Sequence, residues 1–297
     1  MERKKASDFP PEVLRLFDGF VHGSINRRDF IDRAAKYAVG GFTAAAMLEA
    51  LKPNFAWAQQ VAKDDARIRT ENATYSSTQG SGTIRGYLVK PAKGPAKLPA
   101  VVVIHENRGL NPYIEDVARR LGVLGYLAFA PDSLSPFGGY PGDEDKAREM
   151  FAKQDRTKMI EDLLAAVPYL KTRSDTTDRI GAVGFCFGGG VVNAMAVRFP
   201  DLAGSVPYYG AQPPSDSVAK IKAPILAHYA SDDPNINKGI PAFDEALKAN
   251  KVCHEIHTYP NTQHGFHNDT TPRYDEAAAK LSWQRTVDFF NKILRTA

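Results

Sequence analysis

Apolar residues in most of this chain fall into short unbroken runs that alternate with stretches of helical spacing. Ala100-Val101-Val102-Val103-Ile104-His105 is β-branched and nearly without polar residues, the pattern of a strand buried on both faces. An earlier strand is predicted over Thr83 to Lys90, set apart by the turn-forming Pro91-Ala92-Lys93-Gly94-Pro95. Ile114, Val117, Leu121 and Leu124 recur at helical intervals between Tyr113 and Leu124, and Gly125 is placed to cap that helix. The strand Tyr126 to Ala130 ends at Pro131-Asp132, and helices follow over Asp143 to Met150 and Thr157 to Lys171. Beyond them come a strand (Arg179 to Phe185), a helix (Gly188 to Phe199) and two strands (Leu202 to Tyr209, Ala223 to Ala230). A helix (Gly239 to Asn250), a strand (Val252 to Tyr259) and a closing helix (Arg273 to Ile293) complete the series. Such alternation predicts an α/β fold with a mostly parallel sheet and helices on both faces. Ligands then bind beyond the carboxyl ends of the strands.

The first third of the chain departs from this pattern. Asn26-Arg27-Arg28-Asp29-Phe30-Ile31 precedes a mildly apolar, alanine-rich segment from Ala34 to Leu51, and Ala56-Trp57-Ala58 supplies small residues at the spacing of a signal-peptidase site. That order is similar to a twin-arginine export signal, which implies export machinery as a partner and a periplasmic destination. The other reading is an amphipathic helix packed on a cytoplasmic enzyme. Lys36, Glu49 and Gly40-Gly41 interrupt the segment, so it is no stable membrane anchor. The expected division is a signal-like segment over 1–58, a polar linker over 59–82 and a body over 83–297. With 38 basic against 34 acidic residues, spread without single-sign blocks, charge gives no argument for nucleic acid. Two cysteines exclude a disulfide framework.

One of those cysteines carries the chemistry. Cys186 sits in Gly181-Ala182-Val183-Gly184-Phe185-Cys186-Phe187-Gly188-Gly189-Gly190, where a strand gives way to a helix through glycines. This is the frame of a Gly-x-Ser-x-Gly elbow with the serine replaced by cysteine. The lysine and hydroxyl of a phosphate-binding loop are absent. Other strand ends offer Glu106, Asp232-Asp233 and His264, so nucleophile, acid and histidine follow the chain order of α/β-hydrolases. A thiol needs an imidazole and a helix N-terminus to become a thiolate at neutral pH, and the imidazole needs a carboxylate to fix its tautomer. The N–H of Phe187 and a donor at Asn107 are placed to form an oxyanion hole. His254 and His257 point to opposite faces of a strand, so with His264 and His267 they predict no metal site. Cys253, inside a strand without glycines, reads as structural. Asp132, Ser133 and Ser135 read as a connector, and of Tyr208 and Tyr209 one ring is expected in the core and the other at the pocket.

The run Val103 to Asn111, Gly125-Tyr126, Ala130-Pro131-Asp132, the Cys186 elbow, Pro207-Tyr208-Tyr209-Gly210 and His264-Gly265-Phe266 together resemble the dienelactone hydrolases, or carboxymethylenebutenolidases. The resemblance spans about Thr83 to Leu294. It implies a compact α/β-hydrolase that opens a lactone or ester through a thioester, with neither metal nor organic cofactor. It also assigns Cys186 as nucleophile, His264 as base, Asp233 rather than Asp232 as acid, and Glu106 as the glutamate that helps to generate the thiolate. Family enzymes acting on dienelactone carry an arginine shortly after the histidine, where this chain has Asn268. A substrate carboxylate loses that partner unless Arg108 or Arg273 replaces it. A general carboxylesterase, and a binding protein that keeps the fold without activity, remain alternative functions.

Overall fold

The computed structural model describes residues 4–57 and 59–295. The strands are β1 (Ile68–Ser77), β2 (Gly82–Pro91), β3 (Leu98–Ile104), β4 (Leu127–Pro131), β5 (Thr176–Phe185), β6 (Gly204–Tyr208), β7 (Ile225–Asp232) and β8 (His254–Gln263). They form one sheet in the order β1-β2-β4-β3-β5-β6-β7-β8. From β4 to β8 all neighbours are parallel, while β1 and β2 join antiparallel at one edge. Successive residues of β3 enter different cores: Ala100, Val102 and Ile104 one, Val101 and Val103 the other. That division is why β3 has no polar position. Helices α4 (Pro112–Val123) and α11 (Glu276–Leu294) cover the second core. The first core is covered by α6 (Arg156–Leu164), α7 (Ala166–Thr172), α8 (Phe187–Arg198) and α10 (Ile240–Ala249). The expected α/β-hydrolase architecture is therefore present.

Three expectations are corrected. The polar stretch 59–82 is not merely a linker, because it contains β1, an edge strand whose outward positions need no apolar residue. The helix expected over Thr157 to Lys171 is two helices. Pro168 has no N–H to give to the carbonyl of Leu164, and the helix breaks at Ala165. Cys253 is exposed, one residue ahead of β8, rather than packed inside it.

The N-terminal residues form a unit of their own. They fold as α1 (Pro11–Val21), α2 (Arg27–Ala34) and α3 (Ala44–Leu51) around a core of their own that includes Val13, Phe17, Phe20, Phe30, Met47 and Leu48. The Arg27-Arg28 pair lies at the start of α2, where Asn26 and Asp29 cap each other's backbone N–H. This unit rests on the body. Lys52 Nζ lies 2.8 Å from Asp145 Oδ2 at the start of α5 (Glu144–Ala152), Asn54 N donates to Thr270 O, and the Arg148 guanidinium stacks on Phe20 at 4.5 Å. Ala58 of the expected cleavage motif lies outside the described residues. No helix among the described residues is long and apolar enough to cross a membrane.

Candidate active site

Cys186 occupies the turn between β5 and α8 with φ 55° and ψ −115°, a conformation that costs a non-glycine residue about 1–3 kcal/mol. The surrounding glycines make the turn possible. A Cβ at Gly184 would lie 2.1 Å from the carbonyl oxygen of Gly188, and one at Gly188 only 2.4 Å from that of Ile104. The β5 end and the first turn of α8 are thus in backbone contact, and the sulfur is held at the helix N-terminus beside the N–H of Phe187.

The parallel strands bring the other expected residues to this edge. Asp233 follows β7 and caps the short α9 (Pro234–Asn237), and its Oδ2 lies 2.6 Å from His264 Nδ1 beyond β8. Asp232 is exposed, so the choice between the two aspartates falls on Asp233. Glu106 follows β3 and accepts a 2.8 Å hydrogen bond from Asn268 Nδ2. Asn268 is in turn fixed by the backbone N–H and the hydroxyl of Thr270. The asparagine that stands where an arginine was expected therefore serves the glutamate.

Arg108 and Arg273 both line a small cavity of about 40 Å³ with Glu106, Cys186 and His264. Arg108 Nε is 3.7 Å from Glu144 Oε2. Tyr209 lines a larger cleft of about 910 Å³, its ring 4.9 Å from that of His264. Tyr208 is buried on the other side, bonded to Thr286 Oγ1, so it is the core ring of the pair and does not reach the cleft. Asp132 organises its loop by accepting from the N–H groups of Leu110, Leu134 and Tyr140. Ser133 and Ser135 stay in that loop as well. The histidines of the last strand do not converge: His254 meets Asp244, His257 meets Glu255 and His267 meets Tyr113.

The N-terminal unit adds a residue that sequence reasoning missed. His22, at the end of α1, places Nε2 3.6 Å from Cys186 Sγ, and its ring meets that of His264 edge-on at 4.8 Å. Asp18, one turn earlier, contacts His22 Nδ1 at 3.3 Å and Arg273 Nη1 at 3.5 Å. The carbonyl of Val21 accepts from Asn107 Nδ2 at 2.8 Å, so the side chain of that expected oxyanion-hole residue anchors the N-terminal unit. Val13, Leu14, Phe17 and Phe20 are spaced as one face of a helix, and Asp18 with His22 shares the i, i+4 interval. That pattern was the available signal.

Electrostatics follow from this crowding. Burial alone would push the Cys186 thiol up, but the charge of His264 and the hydrogen bonds and charge of His22 bring it down to about 5. Burial opposes protonation of His264, yet Cys186 and Asp233 raise it to about 9. Both shifts favour the thiolate–imidazolium form of the pair. His22 keeps 36% of its side chain exposed and is also held above the ordinary imidazole range, against the pull of burial, by Asp18 and Cys186. Glu106 is raised to about 7, first by burial and then by the thiolate.

The sequence model of the dienelactone hydrolase family matches residues 84–294. The chain belongs to that family. A YqhI-like model also matches residues 1–36. The "Putative hydrolase fragment YghX" of Escherichia coli K12 is 60% identical over 115 residues, which are 39% of this chain and 98% of that protein. A "Putative carboxymethylenebutenolidase" of Saccharolobus solfataricus is 32% identical over 71% of this chain and 94% of its own. The crystal structure of a "Putative Dienelactone Hydrolase" from Klebsiella pneumoniae superposes with a TM-score of 0.66 at 26% identity, covering 76% of this chain and 99% of that one. The acylaminoacyl peptidase of Pyrococcus horikoshii shares the fold at a TM-score of 0.60 and 17% identity, over 77% of this chain and 42% of its own. This dienelactone hydrolase-like chain is an ester or lactone hydrolase of the α/β-hydrolase superfamily.

Proposed function

We propose that the protein opens a lactone or cleaves an ester by covalent thiol catalysis with Cys186, His264 and Asp233. The observation that carries this is the 2.6 Å contact of Asp233 with the imidazole whose charge lowers the Cys186 thiol. The thiolate attacks the carbonyl carbon, a C–S bond forms, and the oxyanion faces the N–H of Phe187. As the tetrahedral centre collapses, the C–O bond breaks and His264 gives its proton to the leaving oxygen. Water, deprotonated by His264, then attacks the thioester, releasing the acid and restoring the thiolate. In a lactone the leaving alcohol stays tethered to the acyl group. Phe151, Met159, Leu164, Phe187 and Val191 make the large cleft mainly apolar, which suits an aryl or alkyl substituent beside the carbonyl. Arg273 has a buried Nε without a protein acceptor and lines the small cavity, so it is the group assigned to a substrate carboxylate in place of the missing arginine.

Cys186→Ala and His264→Ala are each expected to reduce turnover of p-nitrophenyl acetate and a lactone panel by roughly 10³-fold or more. Cys253→Ala should retain it. Iodoacetamide should label native Cys186 at a rate that rises through pH ~5 rather than ~8.5, because a lowered thiol pKa leaves the anion present above the lower value. Full turnover by Cys186→Ala would refute the assignment. The export expectation on the Arg27-Arg28 pattern is tested by whether a periplasmic form beginning near Gln59 exists; such a form lacks α1 to α3 and with them the His22 contact to Cys186.

A further inference from the structure

Acyl transfer at Cys186 uses one imidazole, that of His264, yet the sulfur has two beside it. His22 Nε2 stands 3.6 Å from Sγ, and the ligand atoms of His22, Cys186 and His264 all lie within 4.8 Å of one another. Both rings are braced from behind. Nδ1 of His264 is 2.6 Å from Asp233 Oδ2, while Nδ1 of His22 is 3.3 Å from Asp18 Oδ1 and 2.9 Å from the Asp18 carbonyl oxygen. A carboxylate behind an imidazole aims the far nitrogen forward, as it does for histidines that ligate metals. Nε2 of His264 is buried and faces the Cys186 thiol. A second aspartate-braced imidazole adds nothing that single-base acyl transfer requires. It completes a set of three donors.

We infer that His22, Cys186 and His264 form a binding site for Zn2+, assembled jointly by the N-terminal unit and the catalytic body. One thiolate with two imidazoles suits zinc, whereas magnesium and calcium require oxygen ligands. Zinc bonds of about 2.0–2.3 Å in a tetrahedron place donors roughly 3.5 Å apart. The sulfur and His22 Nε2 already meet that spacing at 3.6 Å, and the widest pair must close by about 1 Å. The half-exposed His22 side chain has room to rotate. All three residues line the large cleft, which leaves a fourth position for water. An ion here displaces the protons of both imidazoles to solvent and occupies the thiolate and the catalytic base together, so metal binding and hydrolysis exclude one another and affinity rises with pH. Zinc is then a reversible cap on the nucleophile.

The test uses the full-length, reduced, metal-free protein titrated with Co2+ and then Zn2+. One equivalent of Co2+ should produce a thiolate-to-cobalt charge-transfer band that Zn2+ displaces, and stoichiometric Zn2+ should suppress hydrolysis until a chelator is added. His22→Gln should weaken binding by roughly 100-fold, and Asp18→Asn, which keeps all three donors, by roughly 10-fold. Cys253→Ser should bind as the native protein does. Circular dichroism melts confirm that each variant is folded, and Asp18→Asn carries the test if His22→Gln is not. Absence of the charge-transfer band, or native affinity in His22→Gln, overturns the inference. Because the band reports metal on sulfur rather than turnover, it is decided separately from the role of Cys186 in hydrolysis.

Discussion

Glu106 shows how one buried group can tie activity and stability to the same titration. Its carboxyl is raised to about 7 by burial and by the neighbouring thiolate, while Asn268, Arg273 and His264 pull it the other way. Below that pH it is neutral and accepts from Asn268 without opposing the Cys186 anion. Above it, two negative charges share the cavity. A carboxyl with a raised folded pKa favours the folded state most at low pH, and that contribution is lost as pH rises from the unfolded value to the folded one. Stability should therefore decline between pH ~4.5 and ~7 by up to roughly 3 kcal/mol, reduced by partial solvation. Glu106→Gln should remove most of that slope, and with it any inflection near pH 7 in kcat/KM. Urea titrations at pH 5 and pH 8 check this, and equal slopes in both proteins would count against it.

The turn from β5 to α8 is the element on which the site depends, and its glycines can be tested individually. A Cβ at Gly188 meets the Ile104 and His105 carbonyl oxygens at 2.4 and 2.6 Å, and both belong to backbone that cannot swing aside. Gly188→Ala should therefore cost roughly 3 kcal/mol and displace Cys186, lowering kcat more than KM changes, whereas Gly190→Ala, with neighbours no closer than 3.7 Å, should be nearly neutral. Equal melting temperatures for the two variants would contradict this. The same turn explains what the sequence revealed. Cys186, Glu106 and Asp233 were legible because each follows a buried strand whose apolar run marks where it ends. His264 follows the partly exposed edge strand β8 and was legible from its order in the chain. Strand β1 was hidden because an edge strand with exposed faces has no apolar alternation to display. The break at Ala165 was written in Pro168, but the helical spacing on either side outweighed it. His22 was least visible. Its contact comes from the docking of a separate helical unit over the cleft, and the spacing of α1 with the Asp18–His22 interval marks a helix without saying what that helix packs on.

The whole molecule is a catalytic body with a small helical unit seated over its nucleophile, and charged contacts help to hold the two together. Lys52 bridges Glu49 and Asp145 at 3.0 and 2.8 Å, Arg27 reaches Asp145 at 3.6 Å, and Asp18 reaches Arg273 at 3.5 Å. Partly exposed pairs of this kind contribute little singly, about 0–1 kcal/mol, and salt screens them. The Arg148 guanidinium over the Phe20 ring adds a cation–π contact. Lys52→Glu turns the attraction to Asp145 across the contact, and that to Glu49 within the unit, into repulsions, a change of roughly 1–2 kcal/mol. Hydrogen exchange should then accelerate in α1 to α3 while β3 and β5, buried on both faces, keep their protection. Cys186 should also be alkylated faster, because Val21, His22 and Phe20 form part of the wall that covers it. Raising ionic strength should move the native protein in the same direction. Uniform acceleration in every element would mean that the unit and the body unfold together, and unchanged exchange in α1 to α3 would mean that apolar packing alone holds the cover in place.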